Sequence, residues 1–177
     1  MKANSELFID PKLLPARALL DTGVLIRALG DRPKDANAAA AKAFFEAMVE
    51  QRREMLVGAP SVAEMLRGPV KTRVPRISGI AVVAFDNRAA ELLAERMPHR
   101  VLIRVRDALN VPLDYMRYDA LLVASAIRWG ADAIISLDKG VLRLAEAVSA
   151  RAQKPDEFIA KQGVLPFGSE GGPSADG

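Results

Sequence analysis

The chain has 177 residues and a mass of 19.1 kDa, which suits one domain with a real core and falls short of what two would ordinarily need. Half of the residues are hydrophobic and 27% are charged, a globular mixture rather than a disordered one, while the lack of any cysteine excludes disulfides, thiolate nucleophiles and cysteine-based zinc or iron–sulfur sites. The net charge of +3 comes largely from arginine, the side chain best shaped to grip phosphate, so nucleic acid is a candidate partner beside the plainer reading of ordinary surface charge.

Residues 1–15 show no clear period and end in a proline pair around two leucines, so 1–16 are expected to be an N-terminal extension. No apolar run reaches the roughly 18–20 residues of a membrane span, and the first twenty residues lack the order of a secretory signal, so no membrane association and a cytoplasmic location are expected. Arg17 to Leu20 leads a short apolar run into Asp21, after which Val24, Leu25 and Leu29 continue at helical spacing: strand, turn, helix. The alanine-rich segment from Lys34 to Glu54, with Phe44, Phe45, Met48 and Val49 on one side, predicts a long amphipathic helix. Met55 to Val57 predicts a second strand, and Ser61 a cap for a short helix carrying Val62, Met65 and Leu66. Glu64 falls one place too late for a capping box and is free for other work.

Ile80 to Phe85 is β-branched and apolar, with Asp86 or Asn87 placed to cap a helix that runs to Met97. The stretch from Val101 to Val105 fits a 3.6-residue period slightly better than alternation, and is read as helix. Tyr118 to Trp129 predicts a helix stopped by Gly130, Ala133 to Leu137 a buried strand ending at Asp138, and Val141 to Arg151 a last helix. Domain limits of 17–165 follow, with a flexible tail over 166–177. Short apolar strands separated by helices require crossovers, so the expected class is α/β: a three-layer α/β/α sandwich on a central, mainly parallel sheet. Ligands of such sheets bind beyond the carboxyl ends of the strands.

Two acids stand at that edge, Asp21 in ALLDTG and Asp138 in IISLDKG, each directly after an apolar run. Two more, Glu64 in SVAEML and Asp119 in YDALLVASAI, are embedded in apolar helical sequence, Asp119 near the expected start of its helix. Each has a plainer reading as a helix cap, a dipole-facing acid or a solvated residue. Gathered together, each carboxylate pair at about 4 Å would cost on the order of 4 kcal/mol at an effective dielectric near 20. Protons or a hard cation must relieve that repulsion. Mg²⁺ or Mn²⁺ takes oxygen ligands and completes its shell with water and substrate phosphate, which makes phosphodiester hydrolysis the chemistry such a cluster supports best. Thr22 and Ser136 offer hydroxyls at this edge, and Arg117 and Lys139 offer positive charge for a scissile phosphate.

These four motifs, LLDTGVLI, SVAEML, YDALLVASAI and IISLDKG, resemble in order and spacing those of PIN-domain ribonucleases, particularly the VapC toxins, across Ala18 to Val148. The resemblance implies a PIN-like fold and an acidic quartet of Asp21, Glu64, Asp119 and Asp138 that binds Mg²⁺, with hydroxyls at Thr22 and Ser136. It also implies RNA as substrate, cleavage to a 5′-phosphate and a 3′-hydroxyl, dimerisation, and a small antitoxin protein that covers the groove. Gly23 departs from the pattern, because the family frequently has Asn or Ser there. A basic loop holding Arg67, Lys71, Arg73 and Arg76 and a second stretch holding Arg96, Arg100, Arg104 and Arg106 are candidate RNA tracks or solvated faces.

Other α/β chemistries lack their own motifs: GxxxxGK[ST], GxGxxG and GxSxG are all absent, and a dehalogenase-type phosphatase wants a second aspartate where Gly23 stands. One histidine, His99, leaves no basis for a His-rich metal site and reads as a surface turn. The competing reading from another class is a non-catalytic module that keeps this fold to bind RNA or protein.

Overall fold

The computed structural model describes residues 7–30, 35–67 and 73–160. Five parallel strands form one sheet in the order β3-β2-β1-β4-β5, namely β1 (Arg17–Leu20), β2 (Glu54–Gly58), β3 (Ile80–Val83), β4 (Ala133–Ile135) and β5 (Ala152–Gln153). Among the described residues seven α-helices connect them: α1 (Thr22–Leu29), α2 (Ala36–Glu50), α3 (Ala59–Arg67), α4 (Asn87–Arg96), α5 (His99–Leu109), α6 (Leu113–Arg128) and α7 (Lys139–Ala147). No helix among the described residues is long and apolar enough to cross a membrane.

Successive strand side chains point to opposite faces, and the core divides accordingly. Ala18, Leu20, Met55, Val57, Ala133 and Ile135 pack against α1 and α2, where Phe44 meets Phe158 with ring centroids 4.8 Å apart. Leu19, Leu56 and Ile134 pack on the other face against α4, α5, α6 and α7. The expected three-layer α/β/α sandwich is what forms.

The chain visits β2 and β3 on one side of β1, then crosses to β4 and β5 on the other. Neighbouring connections therefore diverge between β1 and β4, which opens a crevice beyond their carboxyl ends.

Element boundaries differ from the sequence reading in ways that matter for the site. α2 ends at Glu50, not Glu54, because Arg52 takes a left-handed turn (φ 52°) that returns the chain into β2. α3 starts at Ala59, directly from β2, so Ser61 lies buried inside the first turn and does not cap the helix; Pro60 is tolerated there because first-turn amides have no helical partner. α6 begins at Leu113 after Pro112, five residues before the expected start, which puts Asp119 well inside the helix instead of near its N-terminus. His99 opens α5 instead of sitting in a turn.

Asp86 caps α4, its Oδ1 accepting from the Ala89 amide at 2.9 Å, and pairs with Arg128 at 3.0 Å; both partners hold its carboxyl below the usual range. Ile9 and Leu14 are buried in the first core layer, and Ile9 bridges Ile159 antiparallel. The expected tail, 166–177, lies outside the described residues.

Candidate active site

The crevice is a cleft of about 940 Å³, and Asp21, Glu64, Asp119 and Asp138 all line it. Four separate elements deliver these acids: Asp21 follows β1, Asp138 follows β4, Glu64 projects from α3 and Asp119 from α6.

Asp21 occupies the N-cap position of α1, yet its side chain caps nothing. Its Oδ2 instead accepts a 2.6 Å hydrogen bond from Ser136 Oγ, and the same hydroxyl oxygen accepts from the Asp138 amide at 3.0 Å. Ser136 is fully buried and so ties Asp21 and Asp138, the first and last of the four cleft acids, to one fixed group. The β1–β4 ladder supports this, because the Asp21 amide donates to the Ile135 carbonyl at 3.0 Å. Asp138 does cap its helix, with Oδ1 accepting from the Gly140 amide at 2.6 Å.

Burial pushes the Asp21 carboxyl up; the hydrogen bonds from Ser136 and the Thr22 amide oppose that, and the charges of Asp138 and Glu64 add to it. Asp119 is pushed up to about 7, first by burial and then by the charges of Asp138 and Asp21. Both shifts place Asp21 and Asp119 in partly desolvated positions within reach of neighbouring carboxylates.

The donor set is all oxygen, which suits a hard divalent cation and not a soft one. As the side chains stand, no three acidic groups among the described residues converge tightly enough to grip one ion.

A PIN-domain family model matches residues 18–147, most of the chain and every element that carries an acid. The chain belongs to the PIN-domain family. PIN domains are in general nucleases that use divalent metal ions. Seven chains of solved structures match this fold; one is from the complex of VapBC2 of Rickettsia felis with a DNA fragment from its promoter, at 12% identity and a TM-score of 0.49, covering 78% of this chain and 98% of that one. No curated protein matches.

Around the acids of this PIN domain the expected supporting residues divide. Thr22 and Ser136 are buried at the site, whereas Arg117 does not line the cleft and pairs on the exposed side of α6 with Asp114 at 2.9 Å. Lys139 is exposed at the first position of α7, also off the cleft lining. Of the basic loop, Arg67 lines the cleft, Arg73 and Arg76 are exposed, and Lys71 lies outside the described residues. Arg96, Arg100, Arg104 and Arg106 do not border the cleft.

Residues that the sequence did not single out complete the lining. Arg27 stands over Gly23, donating to its carbonyl at 3.0 Å and to Asp35 at 2.9 Å. A Cβ at Gly23 would lie 3.5 Å from Arg27 Nη1 and 3.9 Å from Asp21 Oδ2, ordinary contacts that place the guanidinium beside this position. The four-residue step from Gly23 to Arg27 is a helical neighbour relation and was readable as such. Tyr115 and Tyr118 also border the cleft.

Proposed function

We propose that this PIN domain is a divalent-metal-dependent endoribonuclease, with Mg²⁺ or Mn²⁺ as its ion and Asp21, Glu64, Asp119 and Asp138 as the ligand set. The convergence of these four acids in one cleft at the sheet's switch point carries the reading. The bound ion supplies Lewis-acid polarisation of a phosphoryl oxygen and positive charge for the leaving alkoxide. Ser136 fixes the orientation of Asp21 through its 2.6 Å hydrogen bond. Arg67 at the cleft margin supplies cationic charge for the RNA backbone, with Arg73, Arg76 and Lys71 as further members of the track. The same reading makes the protein the homodimeric toxin of a toxin–antitoxin pair, silenced when a small antitoxin protein covers the cleft.

RNA incubated with the pure protein and Mn²⁺ should be cut internally, and EDTA should abolish the cutting. Cleavage that persists in EDTA, or that survives Asp21→Asn undiminished, overturns the assignment. One observation favours the non-catalytic alternative, namely that no three acids among the described residues grip a common point. RNA binding without cleavage under saturating Mn²⁺ would select that alternative.

Metal should also stabilise the fold, since an ion bound only by the folded state at about 100 times its Kd contributes about 2.7 kcal/mol. For a domain of this size that is a rise of about 5–10 °C in melting temperature. Binding has to displace the Asp119 proton below about pH 7, so affinity should fall by about tenfold per pH unit below that point. Thermal melts with and without about 5 mM Mn²⁺, at about pH 8 and about pH 5.5, check both statements; an equal shift at the two pH values contradicts the second.

A further inference from the structure

The chain contains two tyrosines, Tyr115 and Tyr118, and both are largely in solvent, 66% and 72% exposed. They stand one turn apart on α6, immediately before Asp119, and both border the acidic cleft. Large aromatic side chains ordinarily bury most of their surface, so a pair left open beside a candidate active site calls for a partner with flat apolar faces. Residues three apart on a helix hold their Cβ atoms about 5–6 Å from each other, close enough for consecutive, unstacked bases to lie one on each ring.

We propose that Tyr115 and Tyr118 form a stacking platform for two unpaired bases of the RNA strand whose phosphate enters the cleft. The inference rests on the nuclease reading and deepens it by naming what grips the strand beside the acids. Continuity with the cleft favours RNA over a protein partner, because a strand whose phosphate reaches the acids must pass the rim that carries both rings. The cleft floor is acidic, so a strand must be held from the rim, and Arg67 on α3 contributes positive charge to the cleft lining. Aromatic faces beside a cationic margin form the usual platform for single strands, because every base has a π-face and the backbone answers to the cation. A duplex keeps its bases stacked on one another and offers neither face to the tyrosines.

Four proteins test this: wild type, Tyr115→Leu/Tyr118→Leu, Tyr115→Phe/Tyr118→Phe, and Asp119→Asn as the cleavage-deficient control. Each is assayed with Mn²⁺ on an unpaired oligoribonucleotide and on the same strand annealed to its complement. Binding of the labelled unpaired strand is measured separately by anisotropy in EDTA. Wild type should prefer the unpaired strand. The leucine pair should raise KM on it by about tenfold per ring lost, leave kcat within about threefold and erase the strand preference, while the phenylalanine pair keeps wild-type behaviour. Both pairs should melt like wild type, because the rings are exposed.

Unchanged KM in the leucine pair overturns the platform, and so does an equal loss in both pairs, which would assign the effect to the hydroxyls. If wild type cuts no RNA, the nuclease reading fails on its own. The anisotropy then decides the platform separately: a leucine-specific loss of about tenfold or more upholds it, and equal binding overturns it and leaves the two rings as a surface for a protein.

Discussion

Asparagine in place of Asp119 is expected to lower RNA cleavage by roughly 10²–10³-fold, the usual effect of removing one charged group from a preorganised site, and at the same time to raise the melting temperature of the metal-free protein at pH 8. The two effects share one cause. In the folded state this carboxyl titrates near 7, against 3.8 for an unhindered aspartate, because it is partly buried among the charges of Asp138 and Asp21. Between those two values the folded protein holds a proton that the unfolded chain has released, so this group's contribution to stability is fully present below about pH 4 and is lost as pH rises to about 7. The full shift corresponds to about 4 kcal/mol. Partial exposure of the side chain reduces what is recoverable to on the order of 1–3 kcal/mol. At about 2–4 °C per kcal/mol, the variant should melt several degrees higher at pH 8 and close to wild type at pH 4. Saturating Mn²⁺ should reverse the ranking, since it stabilises the wild type through a ligand the variant lacks. An Asp119→Asn protein that melts lower than wild type at pH 8 without metal would mean that the carboxylate is structurally useful and not under strain from its neighbours.

That expectation rests on residues whose placement the sequence disclosed to different degrees. Asp21 and Asp138 were readable because each ends a strand, and parallel strands bring their carboxyl ends to one edge of the sheet. Glu64 was legible from its apolar neighbours, although Ser61, read as a cap, turned out to be buried in a helix that starts without any loop. The extent of α6 was not legible, since Leu113 to Arg117 mixes exposed and buried positions without a marked period and Pro112 signals a start only in retrospect. With that start misplaced, the shared face of Tyr115, Tyr118 and Asp119 stayed hidden. Arg117 was assigned to phosphate because it is near Asp119 in sequence, but two residues along a helix are about 200° apart, and the guanidinium turns to Asp114 instead. β5 and the Pro155–Phe158 turn of 3₁₀ helix have too few residues to show any period, and their role in the core depends on Phe158 meeting Phe44.

Gly140→Ala should reduce cleavage by about 10- to 100-fold while leaving the fold intact, which makes it a test of geometry alone. Gly140 lies in the first turn of α7 with no left-handed backbone requirement among its features, so helix propensity by itself favours alanine by about 1 kcal/mol. A Cβ there, however, would overlap Asp119 Oδ2 and Met116 Cε and come within 3.1 Å of Asp138 Oδ1. All three are ends of flexible side chains, so the backbone stays and the two carboxylates give way. Displacing a reacting constellation by about 1 Å can cost on the order of 10²-fold in rate. The melting temperature should remain within about 4 °C of wild type, because the propensity gain offsets part of the repacking. A second readout separates this from a general loss of order: with Asp119 pushed away from Asp138, their repulsion weakens, and the pH midpoint for Mn²⁺ binding should move below the wild-type value near 7. Alanine at position 140 with full activity and an unmoved midpoint would show that the cleft accommodates a methyl group without shifting the acids, and that the close approach of α6 to α7 has no part in setting the site.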